Sequence, residues 1–327
     1  MARPVRLRDF APEADTFLDE VLEGLRKPVK EIPSKFFYDE YGSRLFEHIT
    51  RLDEYYLTRT EIGILRGSIG DIVARIGRQA MLIEYGSGNS EKTKILIDHL
   101  PDLTAYVPID ISKEHLVSSA RNIAASYPNL EVIPVAADYN DASYQIPHAA
   151  RQVSRRVVYY PGSTIGNFHP PGAVDFLKKI RRVCRSGGGL LLGVDLKKDV
   201  AVLQAAYNDR SGVTAEFNIN VLRRANEELG ADFELDQWRH RAIYNEELGR
   251  IEMHLVSLKN QDVHLGDESI AFRKGETIWT ESSYKYSLEE FGDLARQAGF
   301  DVTKVWTDPK HLFSVQYLTT SSAHPIS

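Results

Sequence analysis

The chain has 327 residues, enough for one large domain or two modest ones, and its 43% hydrophobic and 26% charged content is that of an ordinary soluble globular protein. A formal net charge of −6 and an isoelectric point near 6.0 leave no basic footprint for nucleic acid or an anionic membrane, so a small substrate is expected. The single cysteine, Cys184, excludes an internal disulfide framework and fits a reducing compartment, with a buried, inert thiol as the expectation.

Residues 1–10 are basic but lack the apolar core of a signal peptide, and apolar runs such as 190–194 are strand-sized. A cytoplasmic protein is expected. Residues 14–26 place Phe17, Leu18, Val21, Leu22 and Leu25 on one helical face, and Pro33 breaks the pattern. An aromatic and polar stretch, 35–42, precedes a helical Leu45, Phe46 and Ile49 stripe. Thr58 and Glu61 have capping-box spacing and predict the start of a helix that runs to Ile76. The tyrosines at 38, 41, 55 and 56 exceed what a core needs; ordinary packing and a polar-lined pocket both account for them.

From residue 80 the pattern alternates. Strands near 81–85, 105–109, 131–136, 156–160 and 189–195 are separated by helices near 90–100, 112–126 and 171–185, the signature of a parallel sheet faced by helices. After Asp195 the alternation stops. Residues 198–229 predict two helices, and polar-alternating strands follow at 238–244, 250–258, 270–274 and 277–286, with hairpin turns at 247–249 and 274–275. This block predicts a second domain or large cap inserted into the α/β sheet. Ser287 and Glu290 form another capping box, and strands at 301–307 and 312–319 are expected to pair antiparallel.

The stretch 81–93 organises the rest. An apolar run ends at Glu84, Gly86-Ser87-Gly88 follows, and Ser90 can cap the next helix: strand, tight turn, helix. Such a turn holds a nucleotide-like ligand at a strand end, or is a plain βα turn. Asp110 ends the second strand and can accept from two ribose hydroxyls. Asp138 follows the third strand and can hold an adenine amino group, with Tyr139 beside the ring. NAD enzymes usually carry a third glycine in the first helix turn; here that place reads Ser90-Glu-Lys-Thr93. The terminal helix and antiparallel strand pair resemble class I S-adenosylmethionine-dependent methyltransferases, and favour a methyltransferase over an NAD-dependent oxidoreductase.

With these pieces placed, nearly the whole chain resembles the histidine Nα-methyltransferases of ergothioneine biosynthesis. The resemblance is carried by Phe37-Tyr-Asp39, Glu54-Tyr-Tyr56, Gly86-Ser-Gly-Asn-Ser-Glu-Lys-Thr93, Gly162-Ser-Thr-Ile-Gly-Asn-Phe168 and Glu281-Ser-Ser283. It implies an α/β class I methyltransferase fold, Rossmann-like, with a seven-stranded sheet whose last strand is antiparallel. An α+β substrate-binding domain made from the N-terminal segment and the insertion would close over the cofactor. The boundaries it suggests are 1–59 and 197–286 for the substrate-binding domain, and 60–196 and 287–327 for the methyltransferase domain. The cofactor implied is S-adenosyl-L-methionine, contacted by Gly86, Lys92, Asp110, Asp138 and Tyr139, with Ser87 and Gly88 in the same turn. The substrate pocket implied is formed by Tyr38, Tyr55, Asn167, Tyr207, Met253, Glu281 and Ser283.

The chemistry of these side chains agrees. Tyrosine hydroxyls and the Asn167 amide can hydrogen-bond a carboxylate without full charges, and Glu281 with Ser283 can hold the two nitrogens of an imidazole. A neutral α-amine would attack the sulfonium methyl, three times in succession, giving the trimethyl betaine and S-adenosyl-L-homocysteine; Tyr38 and Tyr55 suit the growing ammonium. Tyr38 and Asn167 are the candidate catalytic residues, while the acceptor of the amine proton (a tyrosine, Asn167 with water, or solvent) stays open. A methyltransferase acting on another amino acid or small amine is the main alternative. A nucleic-acid methyltransferase fits poorly, because residues 160–163 read Tyr-Pro-Gly-Ser where an Asn/Asp-Pro-Pro-aromatic loop would stand. The ten histidines show no zinc-ligand spacing, so no metal is expected, nor a membrane or nucleic-acid partner, and a monomer is expected. Asn89 and Ser282 are departures from the family pattern.

Overall fold

The structure is a computed structural model that describes residues 5, 7–10, 15–88, 90–139 and 144–320; Asn89 lies outside the described residues. Strand β1 (Arg8–Phe10) is followed by α1 (Asp15–Leu25), α2 (Glu40–Ile49) and α3 (Tyr56–Ile76). Strands and helices then alternate: β2 (Ala80–Tyr85), α4 (Glu91–Ile97), β3 (Ala105–Asp110), α5 (Lys113–Ser126), β4 (Glu131–Val132), β5 (Val135–Ala137), β6 (Arg155–Tyr160), α6 (Pro170–Cys184) and β7 (Gly189–Asp195). Helices α7 (Val200–Tyr207) and α8 (Val213–Leu229) precede β8 (Trp238–Asn245), β9 (Arg250–Ser257), β10 (Gln261–Leu265), β11 (Glu268–Phe272) and β12 (Thr277–Tyr284). The chain closes with α9 (Leu288–Gln297), β13 (Phe300–Thr307) and β14 (Phe313–Thr320).

Two compact units result: Met1–Ala11, Leu57–Lys197 and Tyr284–Ser327 form the first, Pro12–Tyr56 and Lys198–Ser283 the second. The first is built on a sheet of order β1-β5-β3-β2-β6-β7-β14-β13, with β4 beside β3. Strands β5, β3, β2, β6 and β7 run parallel, and β14 lies antiparallel between β7 and β13. Every residue of β2 and β7 is buried, as both-face coverage by helices demands of central parallel strands. Helix α6 turns Ala173, Phe176, Leu177, Ile180 and Cys184 inward at helical spacing, and its two leading prolines cost no hydrogen bond. Burying a side chain such as Phe176 contributes about 2–3 kcal/mol. The Ser287–Glu290 capping box is present at the start of α9.

Among the described residues, seven strands reproduce the expected sheet, and two more join it. The strand expected at 131–136 is split into β4 and β5, because Pro134 has no N–H to continue the ladder. Strand β1 pairs with β5, so Arg8–Phe10 sit in the sheet unit and not in the N-terminal part of the other unit. Ser90 does not cap α4: it adopts φ 57°, and its Oγ pairs with Ser119 Oγ at 2.7 Å. Thr58 does not open α3 either, since that helix already begins at Tyr56 and Glu61 is engaged elsewhere.

The second unit holds the sheet β12-β9-β8, the hairpin β10-β11, and helices α1, α2, α7 and α8. Strand β10 had no expectation attached; its alternation carries Asp262 and His264 on the exposed side. Asp39 caps α2 through Gly42 N–H at 2.6 Å, and the same oxygen accepts from Asn220 of α8 at 2.9 Å. Asp209 receives the first amides of α8, from Val213 at 2.9 Å and Thr214 at 2.8 Å. Burial would raise the Asp209 carboxyl, but these donors and the Ser211 hydroxyl hold it down at about 2.

Candidate active site

In the first unit the turn after β2 is the centre. Gly86 and Gly88 take φ of 69° and 44°, a region open to glycine, and among the described residues a Cβ on either would meet nothing within 4 Å. The described residues therefore leave space open beside both. Gly86 N–H is tied to Ile109 O at 2.9 Å, and Gly88 N–H points to Asp110 Oδ2 at 3.3 Å. The other Asp110 oxygen accepts from Ser112 N–H at 3.0 Å. Removal from water lifts the Asp110 carboxyl above its ordinary value, against the pull of these amides. Ser87 is buried, and its hydroxyl has no hydrogen-bond partner among the described residues. A buried orphan hydroxyl costs stability unless something occupies the space it faces.

Asp138 is buried behind β5, and Tyr139 lies in an aromatic group with Tyr85 and Phe176 at 5.5 and 5.7 Å between centroids. Beneath the turn sits Glu84, a fully buried carboxyl that receives Thr93 Oγ1 at 2.7 Å and the Tyr106 hydroxyl. Burial pushes Glu84 up to about 8, despite those donors and the nearby Lys92 charge. The Lys92 ammonium pairs with the buried Glu61 of α3, which also accepts from Gly162 N–H at 2.9 Å. Lys92 thus ties the glycine turn's helix to α3 and the loop after β6. Asn167 ends a short 3-10 turn, Thr164–Asn167, and is half-buried. A Cβ on Gly166 would stand 2.7 Å from Tyr284 O, so that turn lies directly on the Tyr284 backbone.

In the second unit, six of the expected substrate residues are placed as follows. Tyr38 meets Phe46 edge-on at 5.6 Å, Phe46 meets Tyr55 at 6.3 Å, and Tyr55 meets Tyr207 at 6.5 Å. The Tyr207 hydroxyl donates to Ser283 Oγ at 2.9 Å, with both side chains buried. Glu281 lies two residues back on β12, half-buried, and its carbonyl accepts from Trp279 Nε1 at 2.9 Å. Met253 is fully buried on β9, and its carbonyl accepts from Thr280 Oγ1 at 3.1 Å. Cys184 is inert: burial lifts its thiol to about 12, and Sγ donates to Gly189 O at 3.1 Å.

Sequence reasoning named Lys92 but missed its partner Glu61, and missed Glu84 with Tyr106, as parts of the site. For Glu84 the signal was present, a carboxylate in an otherwise apolar strand. For Glu61 it was masked by a local capping pattern.

A parallel sheet closed by an antiparallel terminal strand, with a glycine turn after one central strand and acids at the next strand ends, defines a class I S-adenosylmethionine-dependent methyltransferase. The profile of the histidine-specific, S-adenosylmethionine-dependent methyltransferases matches residues 17–320, and the chain belongs to that family. It is 42% identical over 301 residues to the histidine N-alpha-methyltransferase of Mycolicibacterium smegmatis, covering 90% of this chain and 92% of that protein. The same enzyme of Mycobacterium tuberculosis is 42% identical over 294 residues, covering 88% and 90%. The ergothioneine biosynthesis protein 1 of Neurospora crassa is 34% identical over 284 residues, 85% of this chain and 32% of that longer protein. The oxidoreductase alternative is set aside by this membership. The first unit fits the family's cofactor: open space at two glycines, an orphan buried hydroxyl and a carboxylate at the next strand end lie together. Among the described residues, no helix is long and apolar enough to cross a membrane.

Proposed function

We propose that this protein methylates the α-amino nitrogen of L-histidine, three times in succession, producing the trimethyl betaine hercynine in the first step of ergothioneine biosynthesis. The observation that carries the reading is the family match along residues 17–320, within which Glu281 and Ser283 stand two apart on one strand. Bound S-adenosylmethionine would supply the activated methyl group.

The residues divide the remaining work. Gly86, Ser87 and Gly88 allow close approach and offer a hydroxyl, while Asp110 accepts from ribose hydroxyls. Asp138 and Tyr139 serve the adenine, and Lys92, neutralised by Glu61, fixes the start of α4. Asn167 offers the substrate carboxylate a neutral amide donor, while Tyr207, whose hydroxyl hydrogen goes to Ser283 Oγ, meets the substrate as an acceptor. Glu281 accepts from one imidazole N–H; Ser283, oriented by the Tyr207 hydroxyl, serves the other nitrogen beside Met253. A pocket carboxylate rejects apolar rings, which would leave it desolvated and unpaired. Tyr38 and Tyr55 receive the ammonium that grows with each methyl group, and the amine proton passes to a tyrosine, to Asn167 with water, or to solvent.

Isothermal titration with L-histidine in the presence of S-adenosylhomocysteine tests the substrate. Binding is expected, and its absence overturns the assignment. Mass detection of one, two and three added methyl groups, run against a panel of amino acids, then tests specificity and product.

A further inference from the structure

The second unit contains a hydrogen-bond network that the proposed chemistry does not use. Tyr207 is the last residue of α7, where helix carbonyls have no partner within the helix. His240 of β8 supplies one: its Nε2 lies 2.8 Å from Tyr207 O. The ring's other nitrogen, Nδ1, lies 2.9 Å from Asn218 Nδ2 of α8. Asn218 is fully buried, its Nδ2 also reaches His254 O at 3.1 Å, and its Oδ1 accepts from Thr280 Oγ1 at 2.7 Å.

This pattern has one consistent proton assignment. A carbonyl only accepts, so the Asn218 atom facing His254 O is the amide nitrogen. That nitrogen then donates to His240 Nδ1, which must carry a lone pair. The ring hydrogen therefore sits on Nε2 and is donated to Tyr207 O. A second ring proton would set N–H against N–H. The ring is accordingly held neutral: burial lowers its pKa, outweighing the Tyr207 carbonyl and Asp209, while His254 adds to the lowering.

We propose that His240 is a positioning residue for substrate binding: through Nε2–H it fixes the end of α7, and so the Tyr207 hydroxyl that would meet the amino acid and Ser283. Through Asn218 and Thr280 the same ring is tied to the strand carrying Glu281. This inference rests on the reading of Tyr207 as a substrate contact. His240 is not alone in docking α7, because Asn208 Oδ1 accepts from Ala242 N at 3.2 Å and its Nδ2 donates to Ala242 O at 3.1 Å. Loss of the imidazole contact therefore shifts Tyr207 without freeing the helix.

Two isosteric substitutions separate the two ring nitrogens. In His240→Gln the amide nitrogen reproduces the Nε2 donor; in His240→Asn the amide oxygen reproduces the Nδ1 acceptor and the contact to Tyr207 is lost. With S-adenosylmethionine and L-histidine as substrates, H240N is expected to raise the histidine KM roughly 3- to 10-fold, the range one net hydrogen bond spans. The cofactor KM should stay unchanged, and H240Q should stay within about twofold of the parent. In NMR spectra of ring-labelled tyrosine, the Tyr207 resonance should shift in H240N and hold in H240Q, which needs no substrate. Equal histidine KM values for the two variants, or equal Tyr207 shifts, overturn the inference. An unchanged histidine KM in Tyr207→Phe overturns the substrate reading instead, while the NMR comparison still decides whether His240 positions Tyr207.

Discussion

Replacing Glu84 by glutamine isolates the energetics beneath the glycine turn. The folded protein keeps the Glu84 carboxyl protonated up to about 8, whereas the unfolded chain releases that proton near 4.5. Between those values the native state binds more protons than the unfolded state, so stability falls as pH rises through the window and is lost in full above it. The interval of about 3.5 pH units corresponds to roughly 4–5 kcal/mol at about 1.36 kcal/mol each. Glutamine is close in shape to the neutral acid, and an amide oxygen in the place of Oε2 still accepts from both Thr93 and Tyr106. Urea unfolding of wild type and E84Q at pH 5 and pH 9, followed by circular dichroism, measures the difference. The two should be close at pH 5, and E84Q should be the more stable by several kcal/mol at pH 9. Other titrating groups cancel in the comparison. An offset independent of pH would refute the reasoning, because Glu84 would then ionise alike in both states.

Lys92→Met leaves the fully buried Glu61 without its counter-ion and should cost about 3–5 kcal/mol, most of it recovered in the K92M/E61Q double variant, read by thermal melting. Gly166→Ala forces a methyl group against Tyr284 O at 2.7 Å, which should cost about 1–3 kcal/mol and raise the histidine KM, with S-adenosylhomocysteine affinity retained in calorimetry. Cys184, with its thiol raised to about 12, should resist a thiol reagent in the native protein and react fully in denaturant.

The sheet was legible because its elements are specified locally. Residues 81–85 and 189–195 are too uniformly apolar for an edge or a half-exposed strand, and Ser287 with Glu290 marks a helix start within four residues. Errors arose where a local pattern competed with a distant partner. Thr58 and Glu61 have the spacing of a cap, yet Glu61 is claimed by Lys92 and Gly162, 31 and 101 residues away. Ser90 stands where a cap belongs, yet the left-handed turn directs its hydroxyl to Ser119. Tyr207 and Ser283 could be named as candidates from family motifs, but their mutual hydrogen bond spans 76 residues and follows from no spacing rule. His240 gave no signal at all, since one histidine on an alternating strand is indistinguishable from surface until α8 is packed over it.

Two lysines of the first unit are each paired with a fully buried carboxylate. Lys92 is paired with Glu61, and the fully buried Lys285 is paired with Asp195 at 2.8 Å, the last residue of β7. The family's methyl donor is a cation, and its product amine becomes one as methyl groups accumulate. An unpaired ammonium about 8 Å from such a ligand would repel it by roughly 2 kcal/mol at an effective dielectric of about 20. Pairing Lys92 with Glu61 and Lys285 with Asp195 leaves neither ammonium uncompensated while keeping its structural ties. The carboxyls left near the turn act differently: Asp110 is tied by amides at both oxygens, and Glu84 stays largely neutral near pH 7. The glycine turn therefore presents hydrogen-bonding groups with little net positive charge, which suits the sulfonium of the proposed cofactor.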